Sequence, residues 1–350
     1  MKYADKRITI LAIGDTVDFD SFRKFDKERK FALSRGFEYL AVDYGKIFKI
    51  KQLDIHTQKV IVMTFFPFKY WDKHVECKNY RGMYGSLLFL RKFSKFCDEL
   101  AEKVEELLPG KKIRFVNDPR ATAVYRDKVT VMDKLSVSGV KVPFRIKTKS
   151  VKVVEKLLSE GKKIYIKPRC GSMGKGISYL EQDRWQTNFT IRKNKIVNRY
   201  SDYGWKYRDF TGNSKVLKSL IEGDVIMEEA VSSLNVGKKK IDFRVYGCFG
   251  KILYVYPRKN DADAVTTNIS QGGKGSPAIL SAMPDKIIDK IKRQVRKTMR
   301  VLDLDLAGID VIVDDNLKDS YVVDVNMFPG FPKKRTHNLA RGIMNELRWK

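Results

Sequence analysis

The sequence predicts a small α/β domain with a parallel sheet, followed by two α+β subdomains that close on a ligand between them. Three observations predict this class. Strands alternate with a long amphipathic helix up to residue 116. A glycine loop follows a short strand at 171–176. Two β-branched runs carrying carboxylates, 310–315 and 321–326, lie near the C-terminus.

Residues 8–13 form the first expected strand, ending at Gly14-Asp15. Segments 37–42 and 60–66 follow as strands, the latter closed by Pro67. Residues 84–108 place Leu87, Leu88, Phe93, Phe96, Leu100 and Val104 at helical spacing and stop at Pro109-Gly110. A fourth strand is expected at 113–116. No GxGxxG follows the first strand, so dinucleotide binding is not read there. A new unit opens at Asn117-Asp118-Pro119 with helices at 128–138 and 150–160, stopped by Gly139 and Gly161. A strand at 163–168 leads into the glycine loop. Residues 181–218 are polar, basic and aromatic (Trp185, Tyr200, Tyr203, Trp205, Tyr207) and read as a flexible insertion. Strands are expected at 225–227, 241–249 and 251–257, a second glycine loop at 272–275, and a helix at 285–302. A hairpin turning at Asp314, Asp315 and Asn316 comes next, and a short helix closes 333–350. The expected domains are 1–116, 117–222 and 223–350.

A chain of 350 residues can bury several cores. It has 43% hydrophobic and 32% charged residues, the composition of a globular protein. The four cysteines (77, 97, 170, 248) show no CxxC, and only three histidines exist. A zinc site, a disulfide framework and a Ser-His-Asp triad are all hard to build from these. The N-terminus lacks a signal-peptide apolar core and no apolar run is long enough to span a membrane, so a cytoplasmic protein is expected. The net charge of +28 fits either lysine spread over every surface or a polyanionic partner. The wide spacing of the lysines favours the first, and nucleic acid is not excluded as a partner.

The hairpin carries the clearest chemistry. Residues two apart on a strand share a face, so Asp324 and Asn326 point together, and Asp310 reaches them from the neighbouring strand. Two carboxylates and an amide oxygen make a hard, incomplete shell suited to Mg²⁺ that completes itself with water and nucleotide phosphates. A solvated surface hairpin would read the same way in isolation. Lys167 on its strand and the loop Gly171-Ser172-Met173-Gly174-Lys175-Gly176 suit phosphate, because glycines let backbone N–H groups approach closely. The loop is no Walker motif, and alone it is equally a plain turn. Glu228-Glu229-Ala230-Val231 ends a strand whose backbone could read adenine and whose carboxylate could hold ribose, or it is an ordinary strand terminus. Lys128 by itself is an ordinary solvated lysine.

Taken together, residues 117–332 resemble the ATP-grasp superfamily in the order of their segments. Arg126-Asp127-Lys128 resembles the first subdomain's entry, Lys167-Pro168 with GSMGKG the lid, and Ile226-Met-Glu228-Glu229 the adenine hinge. Asp310 and Asp324-Val-Asn326 resemble the metal ligands. Within the superfamily, Asp242-Phe-Arg244 and Thr267-Asn268-Ile-Ser-Gln-Gly-Gly273 resemble RimK-like and glutathione-synthetase-like ligases. The spore-coat-associated YheC/YheD-type proteins are the nearest likeness. Two departures stand out. Asp324-x-Asn326 replaces the usual Glu-x-Asn, and Thr266-Thr267 replaces an arginine before the loop asparagine. Arg258 or Lys274 could supply that charge.

The resemblance implies a carboxylate–amine ligase that forms an acyl phosphate from ATP, with Mg²⁺ as cofactor (two ions, Mn²⁺ able to substitute). Lys128 and Lys167 would hold the α- and β-phosphates, with the lid, the 228–231 hinge and Asp242 completing the ATP site. Arg244 and Arg258 would stabilise the transferring phosphoryl group, with Asn268 and Lys274 on the acceptor side. The partners implied are small-molecule or peptide carboxylates and amines, including acidic ones. The 181–218 segment is expected to contribute to the acceptor site. The ending Asp324-Val-Asn326-Met-Phe-Pro-Gly-Phe331 also resembles inositol polyphosphate kinases of the same superfamily. A non-enzymatic polyanion-binding protein is the remaining alternative.

Overall fold

The computed structural model describes residues 7–16, 21–78, 80, 82–198, 204–333 and 337–349. The first sheet is parallel, with β1 (Ile8–Gly14), β2 (Phe37–Asp43), β3 (Lys59–Thr64) and β4 (Lys112–Val116) in the order β2-β1-β3-β4. Ile10 to Ile13 of β1 and Val60 to Met63 of β3 are buried throughout, as strands covered on both faces must be. The helix Leu87–Leu107 lays Phe89, Phe93, Phe96, Leu100 and Val104 along one buried stripe.

The second sheet is antiparallel. It contains β5 (Ile164–Pro168), β6 (Ser178–Glu181) and β7 (Arg184–Thr187), with the small separate hairpin β8 (Thr190–Arg192) and β9 (Lys195–Val197) beside it. With β10 (Arg208–Asp209) and β11 (Val225–Glu229) the order is β10-β7-β6-β5-β11. The segment 181–218 is therefore a built part of this layer and no flexible insertion. Trp185, Phe189, Trp205 and Phe210 are buried in its core, and the helix Ser214–Ile221 closes it. Tyr200 and Tyr203 lie outside the described residues.

The third sheet joins β12 (Asn235–Val236), β13 (Lys239–Cys248), β14 (Lys251–Asp261), β15 (Lys274–Gly275), β16 (Leu306–Val313) and β17 (Ser320–Asn326). Its main path is β15-β14-β13-β16-β17, with β12 paired to β13. The expected carboxylate hairpin is β16–β17. Two helices cover this sheet. Asp285–Val301 brings Ile287, Ile291 and Val295, and Lys128–Val137 brings Val131, Met132 and Leu135 onto Phe243, Val245, Ile309 and Val311. The helix beginning at Lys128 thus packs on the third sheet although it precedes the second in sequence.

The parallel sheet is wedged between the other layers. One face shares a core with the second sheet, and the other meets Tyr246, Cys248, Leu306 and the helix Leu339–Glu346. Asn117 holds the joint. Its φ of 61° turns the chain after β4, its amide Nδ2 donates to the Leu306 carbonyl at 2.6 Å, and its Oδ1 accepts from Asp305 N at 2.8 Å. Among the described residues no helix is long and apolar enough to cross a membrane.

Asp127 fixes the start of the helix that carries Lys128. Its carboxylate caps the helix by accepting from Val129 N at 3.1 Å and takes both Nε and Nη2 of Arg169, the residue after β5. Lys128 N donates to the Arg169 carbonyl at 2.9 Å. Burial pushes the Asp127 carboxyl up, but Arg169 and Thr130 outweigh it and leave it below the ordinary carboxylate range. Asp127→Asn should cost about 2 kcal/mol of stability at neutral pH, the scale of hydrogen bonds to a charged group. A lowered folded pKa means this contribution is present above about pH 4 and fades as pH falls further. Urea unfolding at about pH 7 and about pH 3 should therefore show the gap between variant and parent narrowing in acid.

Candidate active site

Two cavities meet between the layers. The first, of about 300 Å³, lies between the second and third sheets. Lys167 on β5 and Glu228 on β11 face each other across it, with Nζ donating to Oε2 at 2.5 Å. Glu229, Ala230 and Val231 form its rim. The Glu229 and Ala230 N–H groups are taken by the carbonyls of Phe144 (2.8 Å) and Lys163 (2.7 Å). The Val231 N–H, by contrast, donates to no acceptor among the described residues. Only part of the expected hinge backbone is thus open to a ligand.

The opposite wall is a charge network on adjacent strands. Arg244 on β13 stands in register with Asp310 on β16, which stands in register with Asp324 on β17. Arg244 donates through Nε and Nη2 to both Asp310 oxygens, the Nη2 bond being 2.8 Å. Arg258 holds Asp242 through Nε at 2.7 Å and Nη2, and its Nη2 lies 3.1 Å from Asp310 Oδ1. Burial works against the charge of both arginines, but Asp310, joined at Arg258 by Asp242, outweighs it and raises each. Lys128 Nζ donates to Asp324 Oδ1 at 2.5 Å, and Asn326 Nδ2 lies 3.4 Å from Asp324 Oδ2. Burial pushes the Asp324 carboxyl up, yet Lys128, Arg244 and Lys167 hold it at about 2. It stays ionised at neutral pH.

Among the described residues no three His, Cys, Asp or Glu side chains converge on one point. The candidate metal set is two carboxylates and one amide, Asp310, Asp324 and Asn326. That donor set fits a hard divalent ion that draws further oxygens from phosphate and water. Asp324 and Asn326 share a face as alternation requires, and Asp310 stands beside them.

The second cavity, of about 330 Å³, lies on the other side of Asp324 and is bounded by β3, the Lys128–Val137 helix and the 326–331 segment. Arg244 and Asn326 open into it, and Lys128, Asp324, Asn268, Gly171, Ser172 and Gly174 line both cavities.

The two glycine loops form the roof where the cavities meet. Ser270 Oγ donates to the Met173 carbonyl at 2.7 Å, and Asn188 Nδ2 to the Gly174 carbonyl at 2.7 Å. Lys175 lines the first cavity with Lys128 and Lys167, but its ammonium is held elsewhere. Its ammonium is buried, 2.6 Å from Glu76 Oε1 and over the Tyr84 and Trp205 rings. Gly176 lines neither cavity; it lies against Pro168 and Phe189. Lys274 is exposed on β15, opposite Lys259, and lines neither cavity, whereas Arg258, the other residue expected to supply that charge, lines the first. None of the described residues of 181–218 lines either cavity, against the expectation that this segment helps form the acceptor site. Sequence reasoning missed the Asp127–Arg169 pin and the Glu76–Lys175 clamp. The first was visible as a helix-capping aspartate; Glu76 sits in a segment without a motif.

Residues 117–345 match the YheC/D-like ATP-grasp family, and the chain belongs to it. Solved structures similar over nearly the whole chain include ATP-grasp ligases. The RiPP-associated ATP-grasp ligase of Chryseobacterium gregarium, in complex with ADP and a leader and core peptide, has a TM-score of 0.58 at 12% identity, covering 96% of this chain and 95% of that one. The macrocyclase MdnC of Microcystis aeruginosa, bound with its precursor peptide, gives 0.57 at 10% identity, covering 96% and 98%. The D-cycloserine synthetase DcsG gives 0.55 at 12% identity, covering 97% and 100%. At these identities the likeness is one of fold. No curated protein matches the sequence.

Gly174 has φ +68°, and a Cβ there would lie 2.7 Å from Asn268 Nδ2. Gly174→Ala should strain the loop by about 1 kcal/mol and part the two loops. Hydrogen exchange should speed up at 171–176 and 266–273 while the sheets keep their protection. Unchanged exchange at both loops would count against their contact.

Proposed function

We propose that the chain is an ATP-dependent ligase that joins a carboxylate to an amine through an acyl phosphate. The observation that carries this reading is the meeting of the two cavities at Lys128, Asp324, Asn268 and the 171–174 loop. ATP occupies the first cavity, with adenine at the Val231 N–H and phosphates toward Lys167 and Lys128. The carboxylate occupies the second. One of its oxygens attacks the γ-phosphorus, the bond to the β–γ bridging oxygen breaks, and ADP leaves. The amine then adds to the acyl carbon and loses its proton as inorganic phosphate departs. Asp310, Asp324 and Asn326 would hold Mg²⁺, which neutralises charge on the β- and γ-phosphates when bound.

The chain's own groups supply position and charge. Arg244 opens into the second cavity at the crossing point, placed to stabilise the moving phosphoryl group. Arg258 and Asp242 hold Asp310 and Arg244 in place behind it. Lys175 and Glu76 anchor the loop, and its Met173 and Gly174 N–H groups, which have no acceptor among the described residues, are left for the phosphates. The roof excludes water, which an acyl phosphate requires. An ATP-grasp ligase that shares this fold was captured with ADP and a leader and core peptide, which supports the same chemistry here.

Incubation with ATP, Mg²⁺, hydroxylamine and pools of carboxylates should yield ADP and a hydroxamate in step. ADP accompanied by a phosphorylated alcohol and no hydroxamate would sink the ligase reading. Arg244→Gln should lower kcat about a hundredfold, the scale of losing one preorganised transition-state donor. ADP affinity, measured by calorimetry, should change little, because Arg244 lines the other cavity.

A further inference from the structure

The cations of the site pair with carboxylates: Lys128 with Asp324, Lys167 with Glu228, Arg169 with Asp127, Arg244 with Asp310, and Arg258 with Asp242. Arg126 is different. It has no carboxylate within ion-pair distance among the described residues. The one hydrogen bond of its side chain there is a long one, Nη2 to the Cys170 carbonyl at 3.5 Å. Its guanidinium sits instead in an aromatic box, 4.6 Å from the Trp71 ring centroid and 5.5 Å from those of Phe66 and Phe93. Rings stabilise a cation through their faces but leave its N–H groups without acceptors. A guanidinium so placed, lining a cavity, is a prepared anion receptor.

The cavity it lines specifies the rest of the ligand. Met63, Phe66, Phe68, Met132, Phe328 and Phe331 contribute to its wall. Its only carboxylate among the described lining residues is Asp324, which Lys128 already holds. Its other two cations, Lys128 and Arg244, are already held by Asp324 and Asp310. A second carboxylate on the ligand would have to compete with Asp324 or Asp310 for one of those cations, leaving a buried carboxylate unpaired, which is costly.

We propose that Arg126 anchors the substrate's carboxylate, and that the second cavity selects a carboxylate carried on an apolar body of aromatic size. The proposal rests on the ligase reading for the reaction, but the binding it claims does not require turnover. The bidentate fork of arginine matches a carboxylate, and the box fixes the fork's plane. Short dicarboxylates are disfavoured because their second charge must displace Asp324 or Asp310 from Lys128 or Arg244.

The test is direct binding by calorimetry in the presence of Mg²⁺ and a non-hydrolysable ATP analogue, using 3-phenylpropionate, its alcohol 3-phenylpropanol, and succinate as probes. The parent protein should bind phenylpropionate at least about tenfold more tightly than either other probe, and Arg126→Gln should lose at least about tenfold in phenylpropionate affinity, a difference of about 1.4 kcal/mol. Affinity for the ATP analogue, which also reports folding, should be unchanged in the variant. Equal phenylpropionate affinity in the variant, or succinate binding as tightly as phenylpropionate, overturns the proposal. If Arg126→Gln fails to bind the analogue, Arg126→Lys carries the test. It keeps the charge but loses the fork, so a several-fold loss supports the proposal and an unchanged affinity overturns it. The hydroxamate assay separates the two readings. Binding through Arg126 without hydroxamate would retire the ligase reading alone. Hydroxamate formation with the same carboxylate KM in Arg126→Gln would retire the anchor alone.

Discussion

The structure depends on the mutual neutralisation of buried charges across β13, β14, β16 and β17. Asp242, Arg258 and Asp310 are almost fully buried, and Arg244 and Asp324 lie beside them. Each ion withdrawn from water costs several kcal/mol unless partners recover it. Strand register supplies those partners. Arg244, Asp310 and Asp324 stand opposite one another on three neighbouring strands, so no side chain has to search for its counterion. A sheet can hold such a row rigidly because its backbone bonds fix the spacing of the Cβ atoms. A network of this kind stands ready for exchange. Phosphate can take the cations from the carboxylates, and a divalent ion can take the carboxylates from the cations, without net charge being left unpaired at either stage.

The same constraint explains why the layers meet as they do. Lys128 belongs to a helix packed on the third sheet, but Asp127 just before it is tied to Arg169 at the end of β5. The cation nearest Asp324 is therefore placed by two sheets at once. Movement of either sheet would shift Lys128 relative to Asp324, and so relative to the point where the cavities meet. The Glu76–Lys175 pair couples the glycine loop to the N-terminal part of the chain in the same way.

Much of this was legible in the sequence because it is local. Alternation alone put Asp324 and Asn326 on one face, and the β-branched runs made the hairpin. Lys167 was visible because a strand and a glycine loop bracket it. The errors came from contacts that local pattern does not encode. Residues 181–218 looked unstructured because strands this short show no period, and its tryptophans read as exposed aromatics when they are core. Lys175 was placed with the phosphate loop because it sits among glycines; the Glu76 that holds its ammonium lies 99 positions away, with no motif to mark it. Arg126 was read only as part of the motif before Lys128, since its box is assembled from residues 66, 71 and 93, which sequence does not bring together. Lys274 shows the converse error. Being next to a family-like loop did not bring it to the cavity.

The aspartate at 324, where RimK-like sequences place glutamate, is best understood through its neighbours. A shorter side chain keeps its carboxylate close to the strand, directly across from Asp310 and within reach of Lys128. Two carboxylates held this near would repel, and burial would favour protonating one of them. Lys128, Arg244 and Lys167 together prevent that, holding Asp324 ionised against its own desolvation. A glutamate would extend further into the cavity and away from Lys128's present position. The aspartate and the short contact to Lys128 therefore form one design, in which reach is given up and a closely held counterion keeps the second carboxylate available. The net charge of the whole chain adds little to this. At the site nearly every cation is already matched, and the charge that can select a ligand is local.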